Sequence, residues 1–314
     1  MISVIMAIYK EPLDWIENSV NSILNQTFKN FEFIIIVDNP NNLKLRDYLK
    51  NISLKDSRVL VHHNEKNLGL TKSLNVGLEL AQGKYIARMD ADDISRSTRF
   101  QKQIDLMEKC QELVACGTAI QKFGKTEGIV YYESNPDVIS RHFTCPNPFM
   151  APLAHPTAFI RRSVLSENKI KYNESYKTGQ DYALWSELLF LGNITNLNEV
   201  LLDYRTSDNQ ITAMKRFDQL SVVNNVVNNH IIKWLRNNNI EIFSDLTPYF
   251  IKDIRQKYLP NEKERFDSFI FGLLLNQKYD WKYVLKYLVK DFNFKIPLTC
   301  KLKLIKSKLR FRVG

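Results

Sequence analysis

Tyr85-Ile86-Ala87-Arg88-Met89-Asp90-Ala91-Asp92-Asp93 is the stretch of this chain that most constrains its fold and its chemistry. A short apolar run typical of a buried strand ends in three carboxylates within four residues. Like charges at this spacing repel one another, and a divalent cation that prefers oxygen ligands is the usual means of holding them together. In open α/β sheets ligands bind at the carboxyl ends of the strands, which is where these acids fall. The stretch therefore predicts a metal-dependent site at the end of a strand.

The chain before this stretch alternates strand-like and helical patterns. In order, the strand-like and helical runs cover residues 2–8, 12–24, 31–37, 59–62, 70–81 and 85–89. An uninterrupted apolar run such as Phe33–Val37 is typical of a parallel strand that is covered on both faces. The alternation predicts an α/β fold with a mainly parallel central sheet and helices on both faces.

After the acidic stretch the pattern changes, first to strands and then to helices. The predicted elements are a helix over 100–110, strands over 113–123 and 128–132, an irregular loop over 145–156, a strand over 157–160, a helix over 181–191 and a strand over 200–204. From about residue 214 onward the patterns are helical. We therefore predict two domains, residues 1–214 and a basic helical region at 215–314.

The net charge of +10 is concentrated in the C-terminal third of the chain. Residues 215–314 contain 20 Lys/Arg and 9 Asp/Glu, whereas residues 1–214 are close to neutral. No apolar run approaches the ~20 residues that span a bilayer. Met1–Ile5 does not resemble a signal peptide, and the four cysteines lack Cys-x-x-Cys spacing. The sequence therefore predicts a cytoplasmic globular protein without a zinc site or a disulfide framework.

A further carboxylate ends another strand-like run. Asp38 follows residues 31–37 and could accept hydrogen bonds from a nucleobase imide or from ribose hydroxyls at the carboxyl edge of the sheet. A turn-forming role before Asn39-Pro40-Asn41-Asn42 is the alternative. The first strand is followed by Tyr9-Lys10-Glu11-Pro12 rather than by Gly-x-Gly-x-x-Gly, so a dinucleotide cofactor bound in the usual way is not expected.

Three other residues have both a functional and a structural interpretation. Asp181 begins an apolar helical pattern, where a carboxylate can be a general base that faces a cleft or simply the helix N-cap. Asp93 can belong to the metal site or cap the helix predicted after Thr98. His155 can contact a ligand or an acceptor, although a single histidine is more often structural.

Several motifs stand in a fixed order between residue 2 and about residue 212, namely Ser3–Tyr9, Ser22–Phe28, Asn67–Leu70, Ser73–Leu78, Ala81–Asp93, His155–Thr157, Arg161-Arg162, Gly179–Trp185 and Tyr204-Arg205. Taken together, in this order and spacing, they resemble the family-2 nucleotide-sugar glycosyltransferases, which have the Rossmann-like GT-A fold. The resemblance implies an inverting transfer of a hexose or N-acetylhexosamine from a UDP-sugar, as in bacterial capsule and lipooligosaccharide enzymes.

The resemblance also implies roles for individual residues. Asp181 would deprotonate the acceptor hydroxyl, Asp92 would ligate the Mn²⁺ or Mg²⁺ cofactor that bridges the donor diphosphate, and Asp38 would bond the uracil imide. His155 and Arg205 would contact the acceptor or a phosphate. The remaining nucleotide-sugar contacts would be Ile8, Tyr9, Glu11, Lys72, Asp90 and Ala91.

The chain departs from the family pattern at two places. Asp38-Asn39-Pro40-Asn41 stands where Asp-Asp-Gly-Ser is common, so the turn at the base differs. Ser207 stands where many members have a histidine after Tyr204-Arg205, so no third protein ligand for the metal is predicted there. Lys72 is a phosphate contact in the family interpretation and a solvated helix lysine in the alternative one.

Residues 295–314 form a basic tail with seven cationic residues and no acid. Leu298, Leu302, Ile305 and Leu309 recur at helical spacing and give one apolar stripe. The pattern predicts either a helix docked on the protein or an interfacial helix that holds the enzyme peripherally at the inner face of the cytoplasmic membrane. At that surface it would meet polyprenyl-linked acceptors. Nucleic-acid binding is not predicted, because the tail lacks a recognised motif.

Two other classes of protein are alternatives to a glycosyltransferase. A sugar-nucleotide nucleotidyltransferase would have a Gly-rich loop with basic residues after the first strand, and this chain has none there. A noncatalytic glycan- or lipid-binding module would not need Asp92 and Asp181 together. Release of UDP from UDP-sugars, with and without Mn²⁺, distinguishes the three classes.

Overall fold

The computed structural model describes residues 1–141, 143 and 151–207, together with scattered positions between 222 and 237. Its strands are β1 (Ile2–Ile8), β2 (Phe31–Val37), β3 (Val59–His63), β4 (Tyr85–Asp90), β5 (Ile94–Ser95), β6 (Leu113–Gly124), β7 (Gly128–Val130), β8 (Phe159–Arg161) and β9 (Asn193–Thr206). Its helices are α1 (Leu13–Leu24), α2 (Leu43–Lys55), α3 (Leu70–Leu80), α4 (Arg99–Lys109), α5 (Pro136–Arg141), α6 (Arg162–Glu167) and α7 (Gln180–Leu188). A 3₁₀ turn at His155–Thr157 precedes β8.

The described strands form one sheet, whose first half is parallel and whose second half is mixed. The strand order is β3-β2-β1-β4-β8-β6-β9-β5, and β7 pairs with β6. β1 to β4 are parallel to one another, as consecutive strand–helix units require. β8 and β5 run antiparallel to the strands beside them, whereas β9 is parallel to β6. The predicted α/β fold is confirmed, with the parallel pairing concentrated in β1 to β4.

Helices cover both faces of the parallel half, as predicted. On one face, α1, α2 and α4 contribute to a core that includes the strand residues Val4, Met6 and Phe33. On the other face, α3 crosses β1 so closely that a Cβ atom at Gly77 would overlap Ile5. Because both faces are buried, β1 and β2 have apolar runs rather than an alternating pattern.

Two strands differ from their predicted bounds for local reasons. β9 begins at Asn193 rather than near residue 200, and it pairs with β6 in an irregular register. Its first residues are polar, and Asn196 donates hydrogen bonds to the carbonyls of Glu133 and Pro152, so the segment lacks an apolar strand pattern. The predicted strand over 157–160 is the 3₁₀ turn, which contains Pro156, followed by the short β8.

All nine strands of the described part belong to one compact unit, which comprises Met1–Ser140 and Phe149–Val223. Across the described residues, no helix is both long enough and apolar enough to cross a bilayer. The described positions between 222 and 237 are helical, in agreement with the helical patterns predicted from about residue 214 onward. The predicted boundary at 214/215, the later helices and the basic tail at 295–314 lie outside the described residues and stay predictions.

Candidate active site

The acidic stretch lies at the carboxyl end of β4. Because β1, β2 and β4 are parallel, their carboxyl ends meet at the same edge of the sheet. Asp90 is the last residue of β4, and Asp92 and Asp93 follow in the turn to β5. Carboxylate oxygens of all three lie within 4.8 Å of one another. The structure therefore brings the three predicted acids together in one cluster.

The protein compensates the charge of this cluster only in part. Arg88 forms an ion pair with Asp90, which lies on the same face of β4. Burial, together with the carboxylates of Asp90 and Glu11, raises the pKa of Asp92 to about 7. Burial and the two neighbouring aspartates raise the pKa of Asp93 well above its usual range. Carboxyl groups whose ionisation is disfavoured in this way are suited to bind a hard divalent cation, because the cation would stabilise their ionised forms.

Asp93 and Arg205 brace the turn that carries Asp92. The buried Asp93 carboxylate accepts a 2.8 Å hydrogen bond from the Arg205 backbone N–H, and Arg205 Nε donates to the Asp92 carbonyl at 2.9 Å. The Arg205 guanidinium lies 4.3 Å from the Trp15 ring and 4.5 Å from the Phe123 ring. Asp93 therefore ties β9 to the turn and does not cap α4, so the capping interpretation is wrong. An acceptor or phosphate contact of Arg205 stays a prediction.

The residues predicted to line a nucleotide pocket differ in how they could contact a ligand. Tyr9 is 38% exposed, and its backbone N–H donates to the Glu11 carboxylate at 2.7 Å. Ile8 and Ala91 are almost completely buried, so they can shape a pocket but present no side chain to a ligand. Lys72 lies exposed in the first turn of α3. The nucleotide contacts of these residues stay predictions.

Asp38 is engaged by the loop that leads into α3. Its Oδ1 accepts hydrogen bonds from Asn64 Nδ2 and from the Leu68 N–H, both at 2.7 Å, and its Oδ2 accepts from the Gly69 N–H at 2.8 Å. The carboxylate therefore fixes the loop before α3 rather than only the turn that follows β2. A carboxylate oxygen has about two lone-pair directions, so Oδ2 can accept one more donor, as the predicted contact to a base would require.

Asp181 lies in the first turn of α7, whose N-cap is Gly179 at φ +69°. The interpretation of Asp181 as the N-cap is therefore wrong. Burial raises the pKa of Asp181, while the backbone N–H of Tyr182 and the charge of Arg88 oppose that shift. A partly exposed carboxylate with a raised pKa is suited to general base catalysis. Its catalytic role stays a prediction at this point.

Tyr132 and Tyr172 lie near enough to Asp181 to be affected by its charge. Burial and the Asp181 charge raise the pKa of Tyr132 to about 12. His155 Nε2 lies 2.8 Å from the Tyr172 hydroxyl, and its ring meets Trp185 edge-on at 6.0 Å. Burial and the charge of Arg88 lower the pKa of His155 well below its usual range, so the imidazole is neutral. These contacts favour a structural role for His155, and its acceptor contact stays a prediction.

Two buried arginines lie beside the cluster, and neither was predicted as part of the site. Arg88 is 4% exposed and Arg99 is fully buried. The Arg99 guanidinium donates to the Arg88 carbonyl at 2.7 Å and to the Pro156 carbonyl at 3.1 Å, so it joins β4 to the 3₁₀ turn. A charged residue inside an apolar strand pattern was the available signal for Arg88. No spacing in the sequence indicated the contacts of Arg99.

We expect Arg99→Met to lower the free energy of unfolding by about 3–5 kcal/mol, because the buried Asp93 loses a nearby cation and two carbonyls lose their donors. Urea denaturation of the full chain measures the effect. Arg96→Met is the matched control, since Arg96 pairs with Asp203 at the exposed surface, and it should change stability by less than about 1 kcal/mol. Equal losses in the two variants would contradict this structural role of Arg99.

A cavity of about 450 Å³ lies at the opposite, amino end of β4 and is a weaker candidate site. Lys84, Arg161 and Arg162 are among its lining residues. Some of their donors are already engaged, because Lys84 pairs with Glu108, and Arg162 Nε donates to the Gly83 carbonyl at 2.6 Å. The cluster after β4 is the better candidate, because ligands of open α/β sheets bind at the carboxyl ends of the strands.

A family model described as "Glycosyl transferase family 2" matches residues 3–168, more than half of the chain. The chain belongs to this family. The matched residues run from β1 through α6 and include the acidic cluster, so the resemblance seen in the sequence is confirmed. The protein is therefore an enzyme, a glycosyltransferase.

Curated relatives agree with this assignment. An uncharacterized glycosyltransferase of Haemophilus influenzae is 32% identical over 249 residues, which cover 77% of this chain and 76% of that protein. The amylovoran biosynthesis glycosyltransferase AmsE of Erwinia amylovora is 31% identical over 228 residues, covering 70% of this chain and 82% of AmsE. The alignments with these two relatives thus cover most of this glycosyltransferase and most of each relative.

Solved structures confirm the fold of this glycosyltransferase. S. aureus TarS 1-349, in complex with UDP-GlcNAc, matches with a TM-score of 0.59 at 16% identity, covering 87% of this chain and 79% of TarS. The mannosyltransferase PcManGT from Pyrobaculum calidifontis, in complex with GDP-Man and Mn²⁺, matches with a TM-score of 0.55 at 13% identity. The match covers 94% of this chain and 81% of PcManGT. At these identities the likeness establishes the predicted GT-A fold.

Proposed function

We propose that this glycosyltransferase moves a hexose or N-acetylhexosamine from a UDP-sugar to a hydroxyl of a surface-glycan acceptor, with inversion at the anomeric carbon. The observation that carries the proposal is the arrangement around Arg88, which pairs with Asp90 of the cluster after β4 and whose charge also acts on the partly exposed carboxylate of Asp181. The name of AmsE and the UDP-GlcNAc complex of TarS support the glycan class and the donor class.

The acidic cluster is the proposed site of Mn²⁺ or Mg²⁺, with Asp92 as a ligand and Asp90 as a contact to the donor. Support comes from the raised pKa of Asp92, which burial and the neighbouring carboxylates cause, and from the Mn²⁺ in the PcManGT complex. When bound, the cation would stabilise the negative charge that develops on the departing diphosphate. The Arg205 contacts keep Asp92 in place for this role.

Asp181 acts on the acceptor in this proposal. Its ionised carboxylate takes the proton of the acceptor hydroxyl while that oxygen forms a bond to the anomeric carbon. The bond between the anomeric carbon and the diphosphate oxygen breaks, and UDP leaves with the electron pair. Burial raises the pKa of Asp181 toward the operating pH, which strengthens it as a base, and Arg88 limits the rise.

A donor screen on the full chain tests the proposed function. UDP-Gal, UDP-Glc, UDP-GlcNAc and UDP-GalNAc are incubated separately with and without Mn²⁺, and the release of UDP is measured, with GDP-mannose as the comparison donor. We expect one UDP-sugar to be hydrolysed well above the rate without enzyme, and only with the metal. Exclusive turnover of GDP-mannose, release of diphosphate instead of UDP, or no turnover of any donor would each contradict the proposal.

We further propose that the acceptor is polyprenyl-linked and that the basic tail, residues 295–314, holds the cytoplasmic enzyme on the membrane. Deletion of 297–314 should reduce sedimentation with vesicles that contain anionic lipid by at least about tenfold, since each basic residue near the surface contributes about 1 kcal/mol. Vesicles of neutral lipid alone are the control. Unchanged sedimentation of the shortened chain would show that the tail does not bind the membrane.

A further inference from the structure

Arg88 lies within the motif Ala81–Asp93, but neither the roles implied by the resemblance nor the proposed reaction gives it a function. It lies near the end of β4, two residues before Asp90, and its side chain is only 5% exposed. Its Nη2 atom forms the ion pair with Asp90, and this is its one ion pair among the described residues. Nε and Nη1 are buried and have no hydrogen-bond partner within the part of the chain that the structure describes.

A buried guanidinium with a single carboxylate partner is a poor means of stabilising a strand. Removing the charge from water carries a penalty of several kcal/mol per ion, and an apolar side chain of similar volume at this position would avoid it. The penalty is compensated only in part, because Asp90 is itself 29% exposed and solvent weakens the attraction. Stability alone therefore does not account for arginine at position 88.

The charge of Arg88 acts on side chains in both halves of the proposed site. The Arg88 charge acts on Asp90 and Asp93 on the donor side, and on Asp181, His155 and Tyr172 on the acceptor side. On Asp181 it opposes the effect of burial and so favours the ionised carboxylate. One fixed cation thus influences both the carboxylate that would contact the donor and the carboxylate that would act as the base.

We propose that Arg88 is a positioning residue of sugar transfer, whose guanidinium fixes the Asp90 carboxylate against the donor sugar and keeps a permanent positive charge that also acts on Asp181. This inference rests on the proposed function. UDP itself lacks the sugar, and Asp92 is the proposed metal ligand, so nucleotide binding does not depend on Arg88. The turnover of the UDP-sugar does depend on it, because misplacement of a reacting group by about 1 Å can lower a rate by about 10²-fold.

The test compares Arg88→Met, Arg88→Lys and Arg88→Ala with the unchanged full chain. Hydrolysis of the UDP-sugar found in the donor screen gives kcat, and calorimetry with UDP and Mn²⁺ gives nucleotide affinity. We expect Arg88→Met to lower kcat by about 10²-fold and to change UDP affinity by less than about fivefold. Arg88→Lys keeps the charge without the planar geometry of the guanidinium, so its kcat should lie between those of Arg88→Met and the unchanged chain. Arg96→Met, at a surface ion pair, is the control and should keep its full activity.

Chemical rescue separates positioning from simple filling of space. Guanidinium ion at non-denaturing concentration should raise the kcat of Arg88→Ala by at least about tenfold. Urea, which is neutral and similar in shape, should not raise it. Equal rescue by urea, a parallel fall of UDP affinity and kcat, or a folded Arg88→Met variant with kcat within threefold of the unchanged chain would each overturn the proposal. An unchanged chain that turns over no UDP-sugar would instead overturn the proposed function, so the two failures are distinct.

Discussion

Asp181→Asn is expected to lower kcat for UDP-sugar turnover by about 10²–10⁴-fold, the range that a positioned general base contributes. The amide keeps the size of the side chain and its place in the first turn of α7, but it cannot take the proton of the acceptor hydroxyl. Affinity for UDP with Mn²⁺ should stay within about threefold, because the proposed nucleotide contacts lie on other elements. Steady-state release of UDP and calorimetry with UDP measure the two quantities.

The pH profile adds a second signature of the base. Burial raises the pKa of Asp181, so the unchanged chain should lose activity with falling pH at a higher pH than an ordinary aspartate would cause, because the protonated carboxyl cannot accept a proton. Asp137→Asn is the matched control, since Asp137 is an exposed aspartate in the first turn of α5. If Asp181→Asn turned over the donor as fast as Asp137→Asn, Asp181 would not be the base.

Asp92→Asn should reduce kcat/KM for the UDP-sugar by about 10³-fold in the presence of Mn²⁺, since a metal ion supplies several kcal/mol of charge stabilisation in the transition state. The variant replaces one carboxylate of the cluster and leaves Asp90 and Asp93 in place. Activity as a function of Mn²⁺ concentration distinguishes a weakened metal site from a misfolded chain, because high Mn²⁺ should recover part of the loss. Asp105→Asn, at an exposed position of α4, is the control.

Affinity for Mn²⁺ should also depend on pH in a defined direction. Burial and the neighbouring carboxylates raise the pKa of Asp92 to about 7 without a cation, so Mn²⁺ must displace a proton at pH 6 but not at pH 8. We expect the affinity of the unchanged chain to rise about tenfold between these two pH values. Asp92→Asn should lack most of this rise, and the same slope in both proteins would mean that another group binds the metal.

The parallel half of the sheet and its acidic end were predictable because the physical signals are local. Burial on both faces makes β1 and β2 apolar without interruption, and the three carboxylates follow β4 directly in the sequence. The strand-end position of Asp38 was equally visible. What it binds was not visible, because its donors, Leu68 and Gly69, come from a loop that only the fold brings alongside.

Other parts of the site depend on contacts that no local pattern encodes. The start of β9 is mostly polar, and Asn196 there bonds to the carbonyls of Glu133 and Pro152, so the segment lacks the apolar pattern that predicts a strand. Tyr172 reaches His155 across seventeen positions of sequence, and Arg99 bonds two carbonyls that the fold brings together. Arg88 was visible as a charge in an apolar run, but its influence on Asp181 required the placement of α7.

Calorimetric titration of UDP into the full chain, with and without Mn²⁺, tests most directly whether the cluster after β4 binds a nucleoside diphosphate through a cation. We predict that UDP binds in the presence of Mn²⁺, that its affinity falls by at least about tenfold when the metal is withheld, and that Asp92→Asn removes this metal dependence. Equal affinity for UDP with and without Mn²⁺, in both the unchanged chain and Asp92→Asn, would contradict binding of the nucleotide through a cation at this cluster.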